Sequence, residues 1–485
     1  MISFLLIGLF TFLVFLQFLP SWKKKNLPPG PFPWPLIGNI YQMDSLAPYK
    51  TLMELGEKYG KVFTIHLGPK PSVVLFGYDT LKDALIGQAE DFSGRAVLPV
   101  FERIVHGKGL VFSNGVPWKD HRKFTMTTLR DFGMGKKSIE ERIAEEAKFL
   151  VDFLQEKQGK PTNPSSMITA AVSNVICSIV FGERFDKEDP TFQTLLRMIK
   201  ENISFLGSRG FQLYNAYSYI LKWLPGTHNK IFENARVLKT FLKGLIKGHI
   251  ANRDPNCPRD YVDSYLNKID EERPNSSFTM DSLVYSTFNL FLAGTETTAT
   301  TLLWAIKLML MHPEIQEKVQ KEIDSVLGSD KQPSMEDRTQ LPYTYAVIHE
   351  VQRFGSIAAL GLPHVALHDI SFKGYTIPKG TELITFLYSS LNDKKYWKDS
   401  EHYNPNRFLD ENGKFKKNEA FIPFGAGKRS CAGESLARTE IFIFFISLLQ
   451  KFTLKVPTGE SNSLEMIISG TRALKPFNVC FVERA

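Results

Sequence analysis

The sequence predicts one large, mainly α-helical domain with small β-sheets, set behind an apolar N-terminal segment. Three observations predict it. The 485-residue chain has no internal repeat, low-complexity tract or long linker that would divide it. Most of it carries apolar residues at helical spacing with charged outer faces, 280–310 being the longest such run. Strand-like alternation is confined to short stretches, at 61–76, 370–375, 381–386 and near the C-terminus. A domain of this size buries about three quarters of its unfolded surface, so it can enclose a bulky ligand and keep a core. The 38 Phe residues suit an apolar cavity and a large core equally.

The net charge of +8 and a pI near 9.0 point to acidic partners. No basic-aromatic array or zinc-finger spacing accompanies them, which argues against nucleic acid. An anionic membrane surface or an acidic electron-transfer protein fits better. Cys177, Cys257, Cys431 and Cys480 are far apart and form no Cys-x-x-Cys, so a reducing environment is expected for the folded part.

Ile2 to Pro20 is apolar except for Ser3, Thr11 and Gln17. About twenty helical residues span the roughly 30 Å hydrocarbon layer. A cleavable signal peptide would carry its basic residues before the apolar run, whereas Lys23-Lys24-Lys25 follows it and no small-residue cleavage site appears. Residues 1–20 are therefore expected to be a retained transmembrane anchor, and 21–37 a basic stop-transfer and proline-rich hinge. Residues 38–485 would form the globular domain, placed in the cytosol by the basic flank. In Leu27–Pro35 the prolines fix φ and remove donors, giving a stiff extended spacer. The sequons at Asn202 and Asn275 would be silent in that orientation.

Within the domain, 46–58 reads as a helix, 61–76 as a hairpin and 79–87 as a helix. The stretch 94–112 is irregular and apolar, with Leu98, Phe101 and Phe112; it either covers a pocket or dips into a membrane. Trp118 and Arg122 open the next helix at i and i+4, on one face. Helical spacing continues through 138–156, 164–181, 190–205, 210–222 and 228–252. In 280–310 the apolar run is broken at Asn289 and by Ala293-Gly-Thr-Glu296-Thr297-Thr298. A threonine hydroxyl can bond the carbonyl four residues back and bend or open the helix, and Gly294 would equally suit a tight helix crossing. Glu350 and Arg353 share a helix face at i and i+3. Gly355 to His364 is rich in small residues and predicts a roomy pocket wall. A last hairpin covers about 453–483, with Gly470-Thr471 at its tip.

Phe421-Ile-Pro-Phe-Gly-Ala-Gly-Lys-Arg-Ser-Cys431-Ala-Gly-Glu434 reads as a glycine-loosened loop, followed by a helix over 434–450. Cys431 then lies at or just before a helix N-terminus, where N–H groups and the dipole favour a thiolate. Gly425 and Gly427 let the backbone approach something flat and bulky, and Arg429 can meet an anion beside the sulfur. The loop fails as a phosphate loop, because Arg429 intrudes between Lys428 and Ser430. No metalloprotease motif, nucleophile elbow or dinucleotide fingerprint is present.

Phe424, Gly427, Arg429, Cys431 and Gly433 match the pattern Phe-x-x-Gly-x-Arg-x-Cys-x-Gly at every fixed position. The chain resembles the cytochrome P450 family here, and over nearly its whole length it is most similar to vertebrate microsomal family 2 members of the 2C-like, drug- and fatty-acid-oxidising kind. The resemblance implies the haem-thiolate fold and haem b, with Cys431 as the axial ligand to iron, which favours O–O cleavage. It implies that Trp118, Arg122 and Arg429, with Arg95 and His364, contact the haem propionates, and that Phe424 and Ala293 line the cofactor. Thr297 would stabilise bound dioxygen and Glu296 would relay protons. Glu350, Arg353 and Arg407 would form a structural triad, although Asn406 stands where glutamate is common. Leu98, Phe101, Phe112, Leu206, Asn289, Ala293, Ala358, Leu362 and Thr471 would meet substrate.

The activity implied is monooxygenation of apolar organic substrates such as foreign compounds, fatty acids and steroids. O2 is the co-substrate, and a partner flavoprotein, NADPH-cytochrome P450 reductase, with cytochrome b5 as a second donor, carries the electrons. Absence of any flavin or nucleotide motif agrees with an outside electron source. Lys119, Arg130, Lys136, Lys137 and Lys428 form the candidate dock. The expected location is the endoplasmic reticulum membrane, single-pass, with the catalytic domain facing the cytosol. Two alternatives are a haem-thiolate peroxide isomerase, against which the Glu296-Thr297 pair argues, and a non-catalytic haem-binding protein.

Overall fold

Two helices crossing at a glycine organise the molecule. The computed structural model describes residues 8, 11, 12, 27–135, 137–272 and 276–484. In chain order its helices are α1 (Pro48–Tyr59), α2 (Tyr78–Lys82), α3 (Pro99–Val105), α4 (Gly115–Asp131), α5 (Lys137–Gln155), α6 (Ser165–Val180), α7 (Pro190–Leu206), α8 (Arg209–Leu221), α9 (Thr227–Asn252), α10 (Tyr261–Glu271), α11 (Met280–Met311), α12 (Pro313–Val326), α13 (Pro342–Gly355), α14 (Leu387–Leu391) and α15 (Glu434–Lys451). The strands are β1 (Val62–Leu67), β2 (Lys70–Leu75), β3 (His364–Val365), β4 (Ile370–Phe372), β5 (Tyr375–Ile377), β6 (Glu382–Thr385), β7 (Phe452–Lys455), β8 (Met466–Ile467), β9 (Ala473–Leu474) and β10 (Cys480–Glu483).

α11 is apolar on most sides and buried along most of its length, as expected of a helix wrapped by others. It packs most extensively on α6. A Cβ added at Gly294 would lie 3.0 Å from Ile176 Cγ1, so that glycine serves the crossing and not a cofactor groove. Gly294→Ala is expected to overpack the contact and cost about 1–3 kcal/mol, read as a lower midpoint of denaturant unfolding. α11 runs unbroken from Met280 to Met311, so the expected opening of its ladder does not occur as a backbone break.

The four-stranded sheet has the order β1-β2-β6-β3. Val62 pairs with Leu75 antiparallel, Val73 with Leu383 parallel, and His364 with Leu383 antiparallel. Its buried face (Val62, Val73, Leu75, Leu383) forms a core separate from the helical one. An isolated bridge joins Arg95 to His364 and so fixes the 94–96 segment against the sheet edge.

Several elements differ from expectation. Residues 94–112 are not irregular throughout: Pro99 at the first turn and His106 in the left-handed conformation bound α3, whose Val100, Ile104 and Val105 are buried. The stretch 370–375 is not one strand. Lys373 (φ 48°) and Gly374 (φ 83°) turn the chain between β4 and β5. The C-terminal hairpin is two separate pairs, β7 with β10 and β8 with β9. α10 and α12 are additional to the helices expected; Asp260 caps the first by accepting from Asp263 N, and Pro313 starts the second.

The proline-rich segment does not stand free. Thr64 Oγ1 donates to Pro28 O and Thr64 N to Pro29 O, both at 2.8 Å, so the packed part begins before residue 38. Apart from residues 8, 11 and 12, the expected anchor and Lys23–Lys25 lie outside the described residues, as do Lys136 and Asn275. Among the described residues, no helix is long and apolar enough to cross a membrane. Asn202 is buried on α7, where its Oδ1 accepts from Asn234 Nδ2 at 3.1 Å. All four cysteines are free.

Candidate active site

The loop before α15 is closed by Cys431 N donating to Phe424 O at 3.0 Å. Gly425 (φ 72°) and Gly427 (φ 71°) adopt the left-handed conformation that favours glycine. A Cβ on Gly427 would meet Leu85 O at 1.9 Å. The absent side chain there admits a protein carbonyl, not a flat ligand; Gly425 faces open space.

Cys431 lies two residues before Gly433, the N-cap of α15. Its side chain is exposed, yet burial pushes its thiol up, with the Gly433 N–H and the Arg122 charge opposing only in part. An exposed but desolvated sulfur faces an interior space rather than the outer solvent. Burial thus opposes the help that the helix end and Arg122 give to a thiolate. Ala293 is likewise exposed and Thr297 half-buried on an otherwise buried stretch of α11, which opens one side of that helix to the interior.

Arg95, Arg122 and Arg429 converge around this loop, and none of them makes an ion pair among the described residues. Arg122 Nη2 donates to Ser430 O at 2.6 Å. Arg429 donates from Nε to Ser93 O at 2.8 Å and from Nη2 to Ser113 O at 2.7 Å. Its guanidinium lies 3.6 Å over the buried Trp118 ring, and its Nη1 is buried without a partner. Arg95 Nη1 donates to Leu362 O at 2.7 Å and Nε to Val111 O at 3.2 Å. Burial and mutual repulsion lower Arg429 to about 9, and burial with Arg122 lowers Arg95 to about 10. Partly desolvated charge of one sign with an orphaned buried N–H calls for an anion. The two carboxylates of haem b fit that demand.

His364 sits on β3 with Nδ1 2.6 Å from Phe92 O. Burial and the Arg95 charge push it down to about 3, so the ring is neutral and its Nδ1–H donates to that carbonyl. Nε2 is then an acceptor, and His364 would meet a propionate only after gaining a proton.

On α11 the Thr297 hydroxyl donates to Ala293 O at 2.7 Å. Glu296 is buried; Thr300 Oγ1 donates to its Oε1 at 3.3 Å. Burial raises Glu296 to about 7, against the pull of Lys200. The neighbouring Thr298 donates to Glu440 Oε2 at 2.9 Å. Glu440, fully buried on α15 and pushed up to about 8 by burial, has an unpartnered Oε1. Sequence reasoning missed it, although a lone acid within the apolar run Leu436–Leu449 is the signal that marks it.

Glu350, Arg353 and Arg407 come together. Arg353 meets both Glu350 oxygens at 2.7 Å, and Arg407 Nε donates to Oε1 at 3.1 Å. The first pair is fully buried, unlike a surface i,i+3 pair.

Of the candidate substrate contacts, Phe101 stacks on Phe112 with centroids 3.9 Å apart, and Phe211 joins them at 5.9 Å. Ala358 and Leu362 are exposed, Leu206 and Thr471 are half-buried, and Leu98 is buried at the start of α3. Asn289 differs from expectation. Its Oδ1 accepts from Leu110 N at 2.9 Å and Val111 N at 3.1 Å, so its carbonyl holds the chain at 110–111 and only its amide nitrogen remains for a ligand. Among the candidate docking cations, Lys428 and Lys119 both pair with Glu90, which reduces their net field, while Arg130 and Lys137 are exposed.

Comparison with known proteins agrees with this site. The Cytochrome P450 family profile matches residues 28–481. Cytochrome P450 2B19 of Mus musculus is 47% identical over 475 residues, 97% of this chain and 96% of its own. Cytochrome P450 2H2 of Gallus gallus is 46% identical over 471 residues, 96% of each chain. Cytochrome P450 2C20 of Macaca fascicularis is 46% identical over 474 residues, 97% of each. The chain belongs to the cytochrome P450 family, in its family 2, and is a haem-thiolate monooxygenase that uses haem b, O2 and electrons drawn from NADPH.

Proposed function

We propose that Cys431 is the axial ligand of the haem iron and that Arg95, Arg122 and Arg429, with Trp118 beneath Arg429, hold the propionates. The observation that carries this reading is the set of three converging arginines, Arg95 buried and Arg122 and Arg429 half-buried, without an acid partner among the described residues, one with an orphaned buried N–H. His364 joins them once protonated, which the incoming carboxylates favour. Phe424 and Ala293 lie against the cofactor. The haem, when bound, supplies the activation of dioxygen. Thr297 and Glu296 hold and deliver protons on the α11 side, Glu296 titrating near neutral pH where a relay group works best. Glu350, Arg353 and Arg407 keep α13 fixed to the segment before the cysteine loop.

The substrate is an apolar organic molecule, held by Phe101, Phe112, Leu206, Ala358 and Leu362, with Leu98 and Thr471 at the margins. Foreign compounds, fatty acids and steroids meet that requirement. Electrons come through NADPH-cytochrome P450 reductase, with cytochrome b5 as a second donor; Arg130 and Lys137, exposed and without an ion pair among the described residues, offer docking cations, and Lys136 is adjacent in sequence. Family 2 membership implies association with the endoplasmic reticulum membrane. Residues 1–20 form a single-pass anchor and 21–37 the connection, with the catalytic domain in the cytosol.

The test combines purified protein, reductase, NADPH, an apolar probe and 18O2. Product carrying the heavy isotope is the expected result. Conversion that needs only a peroxide would indicate the isomerase, and no conversion the non-catalytic haem protein.

A further inference from the structure

The turn between β8 and β9 touches the ends of two helices, α7 and α13. On the α7 side, Gly470 N donates to Ile203 O at 2.8 Å. The approach is close: a Cβ on Gly207 would lie 2.1 Å from Ser469 O, and one on Gly470 2.8 Å from Leu206 Cβ. On the α13 side, Arg472 makes the contacts. Its Nη1 donates to Phe354 O at 2.8 Å and to Gly355 O at 2.7 Å, the last two carbonyls of the helix. Its backbone N donates to Ile357 O at 2.9 Å. Its own carbonyl accepts from Trp304 Nε1, on α11, at 2.7 Å.

The backbone that Arg472 holds is under strain. Ser356, just past α13, has φ 37° and ψ 54°, a left-handed conformation that residues with a side chain rarely adopt. Its hydroxyl is buried without a partner, so it does not secure the turn. The last carbonyls of a helix lack partners within it, and here a guanidinium supplies donors for two. That group is fixed in turn by the rings of Tyr49, Trp304 and Tyr388, at 4.5, 5.2 and 5.1 Å. It makes no ion pair among the described residues; aromatic faces stabilise its charge in place of a carboxylate.

We propose that Arg472 is a specificity-determining positioning residue, which braces the chain after α13 against the β8–β9 turn and so sets how far Ala358 stands from Leu206 and Thr471. The inference rests on the reading of those three residues as substrate contacts and adds what fixes their spacing. Ala358 follows Ile357 directly, and Thr471 lies between Gly470 and Arg472, so neither has slack relative to the bonds described. Without the guanidinium the end of α13 loses two donors, and the wall is free to relax away from the strained turn. The α7 side stays in place, held by Gly470. The pocket then loses selectivity for shape and keeps its cofactor.

The experiment uses the full-length, haem-loaded protein and titrates it with N-methylimidazole, N-dodecylimidazole and N-tritylimidazole, read by the change in haem absorption that imidazole binding produces. The first is too small to reach the wall; the second has a slim tail and the third a bulky one. In Arg472→Met the affinity for N-methylimidazole is expected to hold, while the ratio of slim-tail to bulky-tail affinity moves about tenfold in favour of the bulky one. Arg472→Lys keeps a donor and a charge but not the flat group held by the rings. It is expected to fall between, and it carries the test if Arg472→Met fails to retain haem. An unmoved ratio, a shift in favour of the slim tail, or an equal loss for all three ligands would overturn the brace. Ala358→Phe separates this from the reading beneath it, since it is expected to weaken the bulky ligand. If it leaves all three affinities unchanged, the assignment of Ala358 to the pocket fails instead.

Discussion

Glu350→Ala is expected to leave too little stability for haem-loaded protein to accumulate. Glu350 accepts both short bonds from Arg353, a third from Arg407 Nε and a fourth from Asn404 N at 3.0 Å. Removing it leaves the Arg353 guanidinium, which is wholly buried, with only the carbonyls of Leu391 and His402. Breaking a buried pair from one side costs about 3–5 kcal/mol, because the surviving charge stays desolvated. A domain has only about 5–15 kcal/mol in total. Denaturant unfolding and haem content of the purified variant measure the effect. A midpoint equal to that of the unsubstituted protein would show that the triad is not what ties α13 to 402–408. Arg407→Ala should cost less, since Arg407 is less buried than Arg353 and bonds mainly to backbone carbonyls.

Cys431→Ser is expected to abolish turnover while leaving the fold intact. The loop is closed by the backbone of residue 431 on Phe424 and by Arg122 on Ser430, neither of which needs sulfur. Unfolding free energy should therefore change by less than about 1 kcal/mol in the haem-free protein. A serine hydroxyl is a far weaker acid than a thiol and does not supply the anionic, electron-donating ligand. Product formation should fall to the level without enzyme, and normal turnover by this variant would contradict the assignment of the ligand.

Features confined to one element were legible in the sequence. The cysteine loop, the Trp118–Arg122 spacing and the Glu350–Arg353 spacing each put their residues on one loop or helix face, so local geometry and family resemblance read them together. Contacts between distant segments were not. Glu440 meets Thr298 across 142 residues, and Lys200 acts on Glu296 only because α7 folds over α11. Nothing in the local pattern of either segment encodes that meeting. Gly427 and Gly294 show the same dependence on distant segments. Gly427 was read as room for a flat ligand, whereas Leu85 O occupies the space; at Gly294 the pattern left a bend or a tight helix crossing open, and only the packing of Ile176 selects the crossing. The two-residue strands β3, β8 and β9 exist through their partners, since so short a stretch has no period of its own. α3 was hidden because a seven-residue helix between glycines offers barely two turns of pattern.

The most direct measurement is the absorption spectrum of the dithionite-reduced protein under carbon monoxide. Anionic sulfur on the iron is expected to move the main band to the long wavelength characteristic of thiolate-ligated haem, and Cys431→Ser is expected to lose that band while retaining some haem. A protein that binds haem but shows only the shorter-wavelength band of a nitrogen-ligated or neutral-ligand haem, under conditions where it is folded and active, would contradict ligation by Cys431.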